Sequence, residues 1–369
     1  MIKFLDLKKI NAPYEVLFQE KLKTFFNKSR YILGDEVKKF ETNFANYNNS
    51  KYCIGVGNGL DALVLIFKAY IQLGKLNKGD EVIVPANTYI ASILSILQAD
   101  LVPVLVEPSR KTFNINPLLI QQQVTPKTRA ILAVHLYGQL ADMSLINQIA
   151  RQNNLLVIED AAQSHGAINE TEQLGQNTKA YSFYPGKNLG AIGDGGAITT
   201  NDDDLAKVLF IMRNYGSEIK YHNDSIGFNS RLDEIQALFL NLKLPNLFAD
   251  NEARREIAKR YISEIKNFNI ELPYWDLTNN HVFHLFVIRT KKRKHLQEYL
   301  LEYGIETMIH YPIAPHKQKA FAAENLGWDV LSLDITDKMQ DEVVSLPMSP
   351  VLSNTEVDFI IQKINQWTF

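Results

Sequence analysis

The sequence has few of the features that mark secreted, membrane or metal-binding proteins. Its 369 residues include one cysteine, Cys53, which excludes an intrachain disulfide and leaves no cysteine cluster to bind a metal. No apolar run approaches the ~20 residues of a membrane-spanning helix, and residues 1–9 lack the apolar core of a signal peptide. The formal net charge of −2 gives no basic balance that would indicate nucleic acid or an anionic membrane as a partner. These absences predict a soluble, cytoplasmic globular protein without a metal.

Composition and pattern together predict two domains. Hydrophobic residues make up 46% of the sequence, which is enough for a large core. The pair Pro245 and Asn246 marks the expected boundary between a large domain, residues 1–245, and a smaller one, residues 246–369. In the large domain, short apolar strands alternate with helices. That alternation predicts an α/β fold with a mostly parallel central sheet covered by helices.

The smaller domain is expected to be α+β. Its pattern predicts a helix over residues 251–268, a strand over 281–289 and a helix over 294–303. The basic run at 291–294 is interpreted as a solvated loop and helix start, because no nucleic-acid-binding module accompanies it.

One lysine, Lys187, stands between two glycine-rich turns in residues 181–198. Upstream, an apolar run at 155–158 is followed by Glu159 and Asp160. A lysine amine can form a Schiff base with pyridoxal phosphate, and a carboxylate can hold the pyridine nitrogen protonated so that the ring accepts electrons. A lysine flanked by glycines is otherwise usually a solvated loop residue. The hypothesis of a pyridoxal phosphate site therefore depends on Asp160 at the end of a predicted strand.

A possible phosphate site precedes these motifs. Residues 52–57 have the pattern of a short strand that ends in glycine, and Asn58 is a good N-cap for the helix that follows. The free amides and the dipole of a helix N-terminus both favour a phosphate. An ordinary capped helix is the alternative interpretation. Asp61, in the first turn, would oppose a phosphate unless its carboxylate points away.

Two histidines near these motifs have more than one interpretation. His135 follows a predicted strand and could be catalytic, although a lone histidine in that place is more often structural. His165 could lie near the cofactor or the substrate, or near neither.

Two motifs taken in order resemble those of a known family. Residues 160–166, Asp-Ala-Ala-Gln-Ser-His-Gly, are followed by 182–190, Ser-Phe-Tyr-Pro-Gly-Lys-Asn-Leu-Gly. This arrangement resembles the DegT/DnrJ/StrS sugar aminotransferases, most closely those acting on dTDP-3-keto-6-deoxyhexoses, and the similarity covers nearly the whole chain. The resemblance implies the fold of aspartate aminotransferase, with a large domain that binds pyridoxal phosphate and a smaller C-terminal α+β domain. It also implies a homodimer with composite active sites.

The resemblance implies a role for each site residue. Lys187 would be the catalytic lysine and Asp160 the partner of the ring nitrogen. Tyr89 would stack on the ring, Gln163 would bond the ring hydroxyl, and Ser182 would bond the phosphate. The full set of implied cofactor-binding residues is Gly57, Asn58, Gly59, Tyr89, Asp160, Gln163, Ser182, Lys187 and, reaching across the dimer, Asn229. The implied substrate-binding residues are Tyr184, Lys220, His310 and Tyr311.

The implied activity is transamination of a nucleotide-linked keto sugar. L-glutamate would be the amino donor, pyridoxamine phosphate the intermediate form of the cofactor, and a dTDP-3-amino-3,6-dideoxyhexose for lipopolysaccharide or S-layer glycan the product. Two alternatives remain open. One is transamination of a 4-keto sugar nucleotide, and the other is a non-catalytic, regulatory protein that binds pyridoxal phosphate.

Overall fold

The computed structural model describes residues 1–168, 177–322, 324, 326–328 and 331–369. The strands are β1 Tyr52–Val56, β2 Glu81–Pro85, β3 Val102–Val106, β4 Thr128–Val134, β5 Leu156–Asp160, β6 Thr178–Ser182, β7 Gly196–Thr200, β8 Ser217–Ile219, β9 His222–Asn223, β10 Phe286–Arg289 and β11 Val343–Leu346. The α-helices are α1 Leu7–Asn11, α2 Glu15–Lys28, α3 Asp35–Tyr47, α4 Gly59–Gln72, α5 Ile90–Gln98, α6 Pro117–Gln123, α7 Met143–Asn153, α8 Asp203–Met212, α9 Glu234–Lys243, α10 Leu247–Glu264, α11 Arg293–Glu302, α12 Asp334–Glu342 and α13 Asn354–Gln366. Short 3₁₀ turns occupy Ala12–Tyr14, Leu136–Gly138, Leu244–Asn246, Pro315–Lys317 and Lys319–Phe321.

The central sheet has seven strands in the order β1-β7-β6-β5-β4-β2-β3. Strand β7 runs antiparallel to both of its neighbours, and the remaining neighbours pair in parallel. The interior strands are apolar and almost continuously buried, as expected for a parallel sheet with helices on both faces. The predicted mostly parallel α/β architecture is therefore confirmed.

Helix packing completes the large core. Apolar residues of α4, α5 and α8 form one cluster with the sheet strands, including Leu63, Ile66 and Phe67 of α4. A second cluster joins Phe40 and Phe44 of α3 to the residues that precede and follow Lys187 in the chain. None of the helices in the described parts of the chain is long and apolar enough to cross a bilayer.

A separate cluster forms around the β10–β11 pair, α10, α11 and α13. It contains Tyr261, Phe286 and Trp367, all with at most 1% of their surface exposed. Ile2 joins this cluster and pairs with Ile305 in a parallel bridge. The domain boundary between residues 245 and 246 stays a prediction. No local sequence pattern predicts the contact between Ile2 and this cluster.

Two predicted elements of the C-terminal part are wrong in extent. The strand expected over 281–289 is regular only from Phe286, because Phe283 adopts a positive φ of 42° that interrupts extended backbone. The helix expected over 251–268 begins at Leu247 and ends at Glu264, since Ile265 is extended. Asn267, beyond that end, donates instead to the carbonyls of Ile364 and Trp367, both at 2.7 Å.

The strand ends bring polar residues to one edge of the sheet. Thr88 follows β2, His135 follows β4, Asp160 ends β5 and Ser182 ends β6. Carboxyl ends of parallel strands meet at the same edge, which is where open α/β sheets bind ligands. This edge therefore contains the candidate site.

Candidate active site

A cavity of about 780 Å³ lies at this edge of the sheet. Ten of the predicted site residues line it: Asn58, Gly59, Tyr89, Asp160, Gln163, Ser182, Tyr184, Lys187, His310 and Tyr311. The other three, Gly57, Lys220 and Asn229, are not among its lining residues, and Lys220 and Asn229 are exposed.

Lys187 is presented by a tight turn between β6 and β7. Its backbone N–H donates to the Tyr184 carbonyl at 2.8 Å. A Cβ on Gly190 would lie 2.2 Å from the carbonyl oxygen of Pro185, so the turn closes only with glycine at that position. Burial lowers the pKa of the Lys187 amine to about 8, although the charge of Asp160 acts in the opposite direction.

Asp160 is held at both carboxylate oxygens. Its Oδ2 accepts from the Ser92 hydroxyl at 2.8 Å, and its Oδ1 accepts from the Ala162 N–H at 3.1 Å. Only 7% of the residue is exposed. Two donors on two different oxygens fix the orientation of the carboxylate at the end of β5.

The N-terminus of α4 lies directly against the end of β6. A Cβ on Gly59 would stand 2.7 Å from Ser182 Cβ, and one on Gly196 would stand 2.4 Å from the Asn58 carbonyl oxygen. Glycine at both positions permits this close approach. The Asn58 side chain accepts from the Asp61 N–H at 2.8 Å, so the predicted N-cap is present.

The carboxylate of Asp61 is hydrogen-bonded to Ser230, which also contacts Gly57. Asp61 Oδ2 accepts from the Ser230 hydroxyl at 2.6 Å, and Ser230 Oγ accepts in turn from the Gly57 N–H at 3.0 Å. The N–H of Gly57 thus helps to hold the turn between β1 and α4 in place. The hydrogen bond from Ser230 fixes the position of the Asp61 carboxylate without neutralising its charge.

Matches to known proteins identify the family. The model of the DegT/DnrJ/EryC1/StrS aminotransferase family matches residues 15–365. The chain belongs to this family. It is 52% identical to the dTDP-3-amino-3,6-dideoxy-alpha-D-galactopyranose transaminase of Aneurinibacillus thermoaerophilus, with 100% of both chains covered. It is 41% identical to the dTDP-3-amino-3,4,6-trideoxy-alpha-D-glucose transaminase of Streptomyces venezuelae, over 99% of this chain and 96% of the relative.

The fold comparison agrees with the sequence comparison. The crystal structure of DesV from S. venezuelae in complex with a ketimine intermediate superposes with a TM-score of 0.94. The two chains are 40% identical, and the match covers 99% of this chain and 98% of DesV. The predicted aminotransferase fold is therefore confirmed.

Tyrosine and glutamine side chains form a second wall of this aminotransferase cavity. Gln163 Oε1 accepts from the Tyr137 N–H at 2.6 Å, and its Nε2 donates to the Tyr311 hydroxyl at 3.0 Å. The rings of Tyr89 and Tyr311 are 5.2 Å apart between centroids. Tyr184 is 59% exposed at the mouth. These contacts fix Gln163 and Tyr311 in place before any ligand binds.

His165 and His310 favour the neutral form. Burial and the nearby Lys187 lower the pKa of His165 to about 3 and that of His310 to about 4. Both ring nitrogens of the fully buried His165 lack a hydrogen-bond partner, and the residue does not line the cavity. His310 Nδ1 lies 2.8 Å from the Ser345 hydroxyl.

His135 has structural partners. Its Nδ1 accepts from the Ala141 N–H at 3.1 Å, so the proton is assigned to Nε2, which donates to Glu159 at 2.7 Å. Burial would raise the pKa of Glu159, but Lys179 and His135 together lower it below its ordinary value. Both ring nitrogens of His135 thus make hydrogen bonds within the protein, although His135 lines the cavity.

Several lining or supporting residues had no prediction from the sequence. Ser92 could have been suspected, because it is a hydroxyl in the first turn of a helix that follows a strand. Phe4 and Glu306 could not, since the bond from the Phe4 N–H to Glu306 Oε2 at 3.0 Å spans 302 positions. His284 and Asp194 also border the cavity without a recognisable motif.

The residues present fit pyridoxal phosphate. The cavity combines an amine of lowered pKa, a hydrogen-bonded carboxylate, and a glycine-bounded helix N-terminus next to a hydroxyl. Lys187 could hold the aldehyde carbon, Asp160 the ring nitrogen, and Asn58, Gly59 and Ser182 the phosphate.

The lowered pKa of Lys187 can be measured in the protein freed of cofactor. We expect acetylation of its amine to rise with pH through a midpoint near 8, well below the ordinary value of about 10.4. Asp160→Asn should move the midpoint lower still, because the charge that raises the pKa is lost. The measurement is competitive acetylation followed by peptide mass spectrometry, with the 90% exposed Lys294 as internal reference. A midpoint near the ordinary value, or one insensitive to Asp160→Asn, would contradict this assignment.

Proposed function

We propose that this protein transfers the amino group of L-glutamate to a dTDP-3-keto-6-deoxyhexose, giving a dTDP-3-amino-3,6-dideoxyhexose with pyridoxal phosphate as cofactor. The main support is the presence of the Lys187 amine and the Asp160 carboxylate in one cavity. The named activities of the two relatives, both transaminases of dTDP-3-amino sugars, support the choice of acceptor.

When bound, pyridoxal phosphate supplies an electron sink that stabilises the carbanion left after the donor loses its α-proton. Lys187 is the base for this step. With a pKa of about 8, a useful fraction of its amine is unprotonated near neutral pH, so it can accept a proton and return it. Asp160, held by its two hydrogen bonds, is placed to pair with the protonated ring nitrogen. Gln163, whose side chain is oriented by Tyr137 and Tyr311, bonds the ring hydroxyl in this proposal.

His310, Tyr311 and Tyr184 contact the sugar in this proposal. The three residues border the same cavity as Lys187, and its volume of about 780 Å³ lies in the range of small-molecule sites. His310 favours its neutral form because burial and Lys187 lower its pKa to about 4. A neutral ring can accept or donate a hydrogen bond to a sugar hydroxyl without adding charge.

We infer that a second copy of the chain completes the site, in a homodimer. The described lining residues include the acids Asp160, Asp194 and Glu306, whereas Lys187 is their one lysine or arginine. The cofactor phosphate and the substrate diphosphate are anionic and need further donors. Lys220 and Asn229 lie on an exposed segment outside this cavity.

The same segment exposes apolar side chains, which favours an interface. Ile219 is 67% exposed, Tyr221 85% and Ile226 93%. Clustered exposed apolar groups of this kind mark surfaces that are covered by another protein chain. A partner subunit would cover them while Lys220 and Asn229 reach its cavity.

The product would serve glycan assembly. A nucleotide-linked amino sugar is an activated donor for glycosyl transfer, so the proposed use is in lipopolysaccharide or S-layer glycan, with synthesis in the cytoplasm. A 4-keto acceptor and a non-catalytic regulatory role are the rival proposals, and the acceptor and donor experiments separate them.

The first half-reaction has a direct optical test. Wild-type protein with pyridoxal phosphate should show the visible band of the lysine-bound cofactor, and L-glutamate should bleach it as the amino group is taken up. Lys187→Ala should not show the lysine-bound band. Adding a dTDP-3-keto-6-deoxyhexose should restore the band in the wild type, and a 4-keto isomer should restore it at least tenfold more slowly.

Three results would count against the proposal. The absence of a band would remove Lys187 from its catalytic role, and a band unaffected by glutamate or other amino donors would favour the non-catalytic role. Faster recovery with the 4-keto sugar would replace the acceptor.

The composite site can be tested by mixing inactive variants. Lys187→Ala and a Lys220→Ala/Asn229→Ala double variant should each have little activity alone. Refolded or co-expressed together, they should regain up to about one quarter of wild-type activity, since half of random dimers are hybrid and each hybrid has one intact site. A mixture that stays inactive, or a fully active double variant, would contradict the shared site.

A further inference from the structure

Ser92 lies behind Asp160 and holds its carboxylate in place. It belongs to the first turn of α5 and is fully buried, with 0% of its surface exposed. Its hydroxyl donates to Asp160 Oδ2 at 2.8 Å, while the Ala162 N–H donates to Oδ1 at 3.1 Å. Bonds to both oxygens fix the plane of the carboxylate. Each oxygen retains a further lone pair with which to accept another bond.

Thr88 extends this contact into a chain of hydroxyls. Thr88 Oγ1 lies 2.9 Å from Ser92 Oγ, and only 2% of Thr88 is exposed. A hydroxyl has one hydrogen, and Ser92 uses its hydrogen in the bond to Asp160. Thr88 must therefore donate to Ser92. Such donation polarises the Ser92 hydroxyl and strengthens its bond to the carboxylate.

The N-terminus of α5 also helps to hold the Asp160 carboxylate. Ser92 is the third residue of α5, which runs from Ile90 to Gln98, so Asp160 lies close to the positive end of the helix dipole. The helix N-terminus and the two hydrogen-bond donors together fix the orientation of the Asp160 carboxylate.

We propose that Ser92, supported by Thr88, is a positioning residue that holds the Asp160 carboxylate aimed at the ring nitrogen of the cofactor. This inference rests on the proposed function, since it concerns the same site. Ser92 does not line the cavity, so it acts through Asp160 and touches neither cofactor nor substrate.

The test compares two ligands that differ at the ring nitrogen. Pyridoxal phosphate and its 1-deaza analogue, in which C–H replaces the nitrogen, are titrated into the protein freed of cofactor. In Ser92→Ala we expect the affinity for pyridoxal phosphate to fall about tenfold, because the bond to a charged group is lost. Affinity for the analogue should change less than about twofold, since it has no charge for Asp160 to meet. Thr88→Val should give the same pattern with a smaller loss.

Ser95→Ala is the matched control. Ser95 is equally buried in the same helix, but its hydroxyl donates to the Ser92 carbonyl at 2.8 Å and does not touch Asp160. It should leave the ratio of the two affinities unchanged. Equal losses for both ligands in Ser92→Ala would mean a merely structural role and would overturn the inference, as would no loss for either. Failure of the wild-type protein to bind pyridoxal phosphate would instead overturn the proposed function and this inference with it.

Discussion

The site depends on the pairing of β5 with β6. Asp160, the last residue of β5, is the register partner of Ala180, so the end of β6 at Ser182 and the turn that presents Lys187 lie at the same edge. Strand β7 then returns antiparallel, and the Phe183 N–H donates to the Gly195 carbonyl at 2.7 Å. Amine and carboxylate therefore share one cavity because of backbone hydrogen bonds, which do not vary with the side chains they position.

Burial then decides the chemistry of the groups collected there. It lowers the pKa of Lys187 towards neutrality and favours uncharged His165 and His310. Asp160, which is also buried, accepts hydrogen bonds from the Ser92 hydroxyl and the Ala162 N–H. The result is a cavity that contains the Lys187 amine and the hydrogen-bonded Asp160 carboxylate. An aminotransferase needs that combination, and we propose that the N-terminus of α4 binds the cofactor phosphate.

Local patterns in the sequence were sufficient for the elements that carry the chemistry. The strand that ends in Asp160, the strand that ends just before Gly57, the cap at Asn58 and the turn around Lys187 depend on residues close in the chain, and the structure has each of them. The hydrogen bonds from Ser92 to Asp160 and from Phe4 to Glu306 join residues that are far apart in the chain. No local pattern in the sequence predicts such tertiary contacts. The strand predicted from residue 281 was wrong because the unusual φ of Phe283 has no sequence signature. The roles of all the site residues stay predictions, and those of Lys220 and Asn229 also require a second chain.

The most direct measurement locates the lysine that holds the cofactor. The protein is loaded with pyridoxal phosphate, reduced with borohydride, digested and mapped by mass spectrometry. Lys243 provides a demanding comparison: burial also lowers its pKa to about 8, but its Nζ donates to the Gly190 carbonyl at 2.9 Å and it does not line the cavity. The account predicts the pyridoxyl label on Lys187 alone at stoichiometric loading. A label on Lys243, or one spread over several lysines, would contradict it.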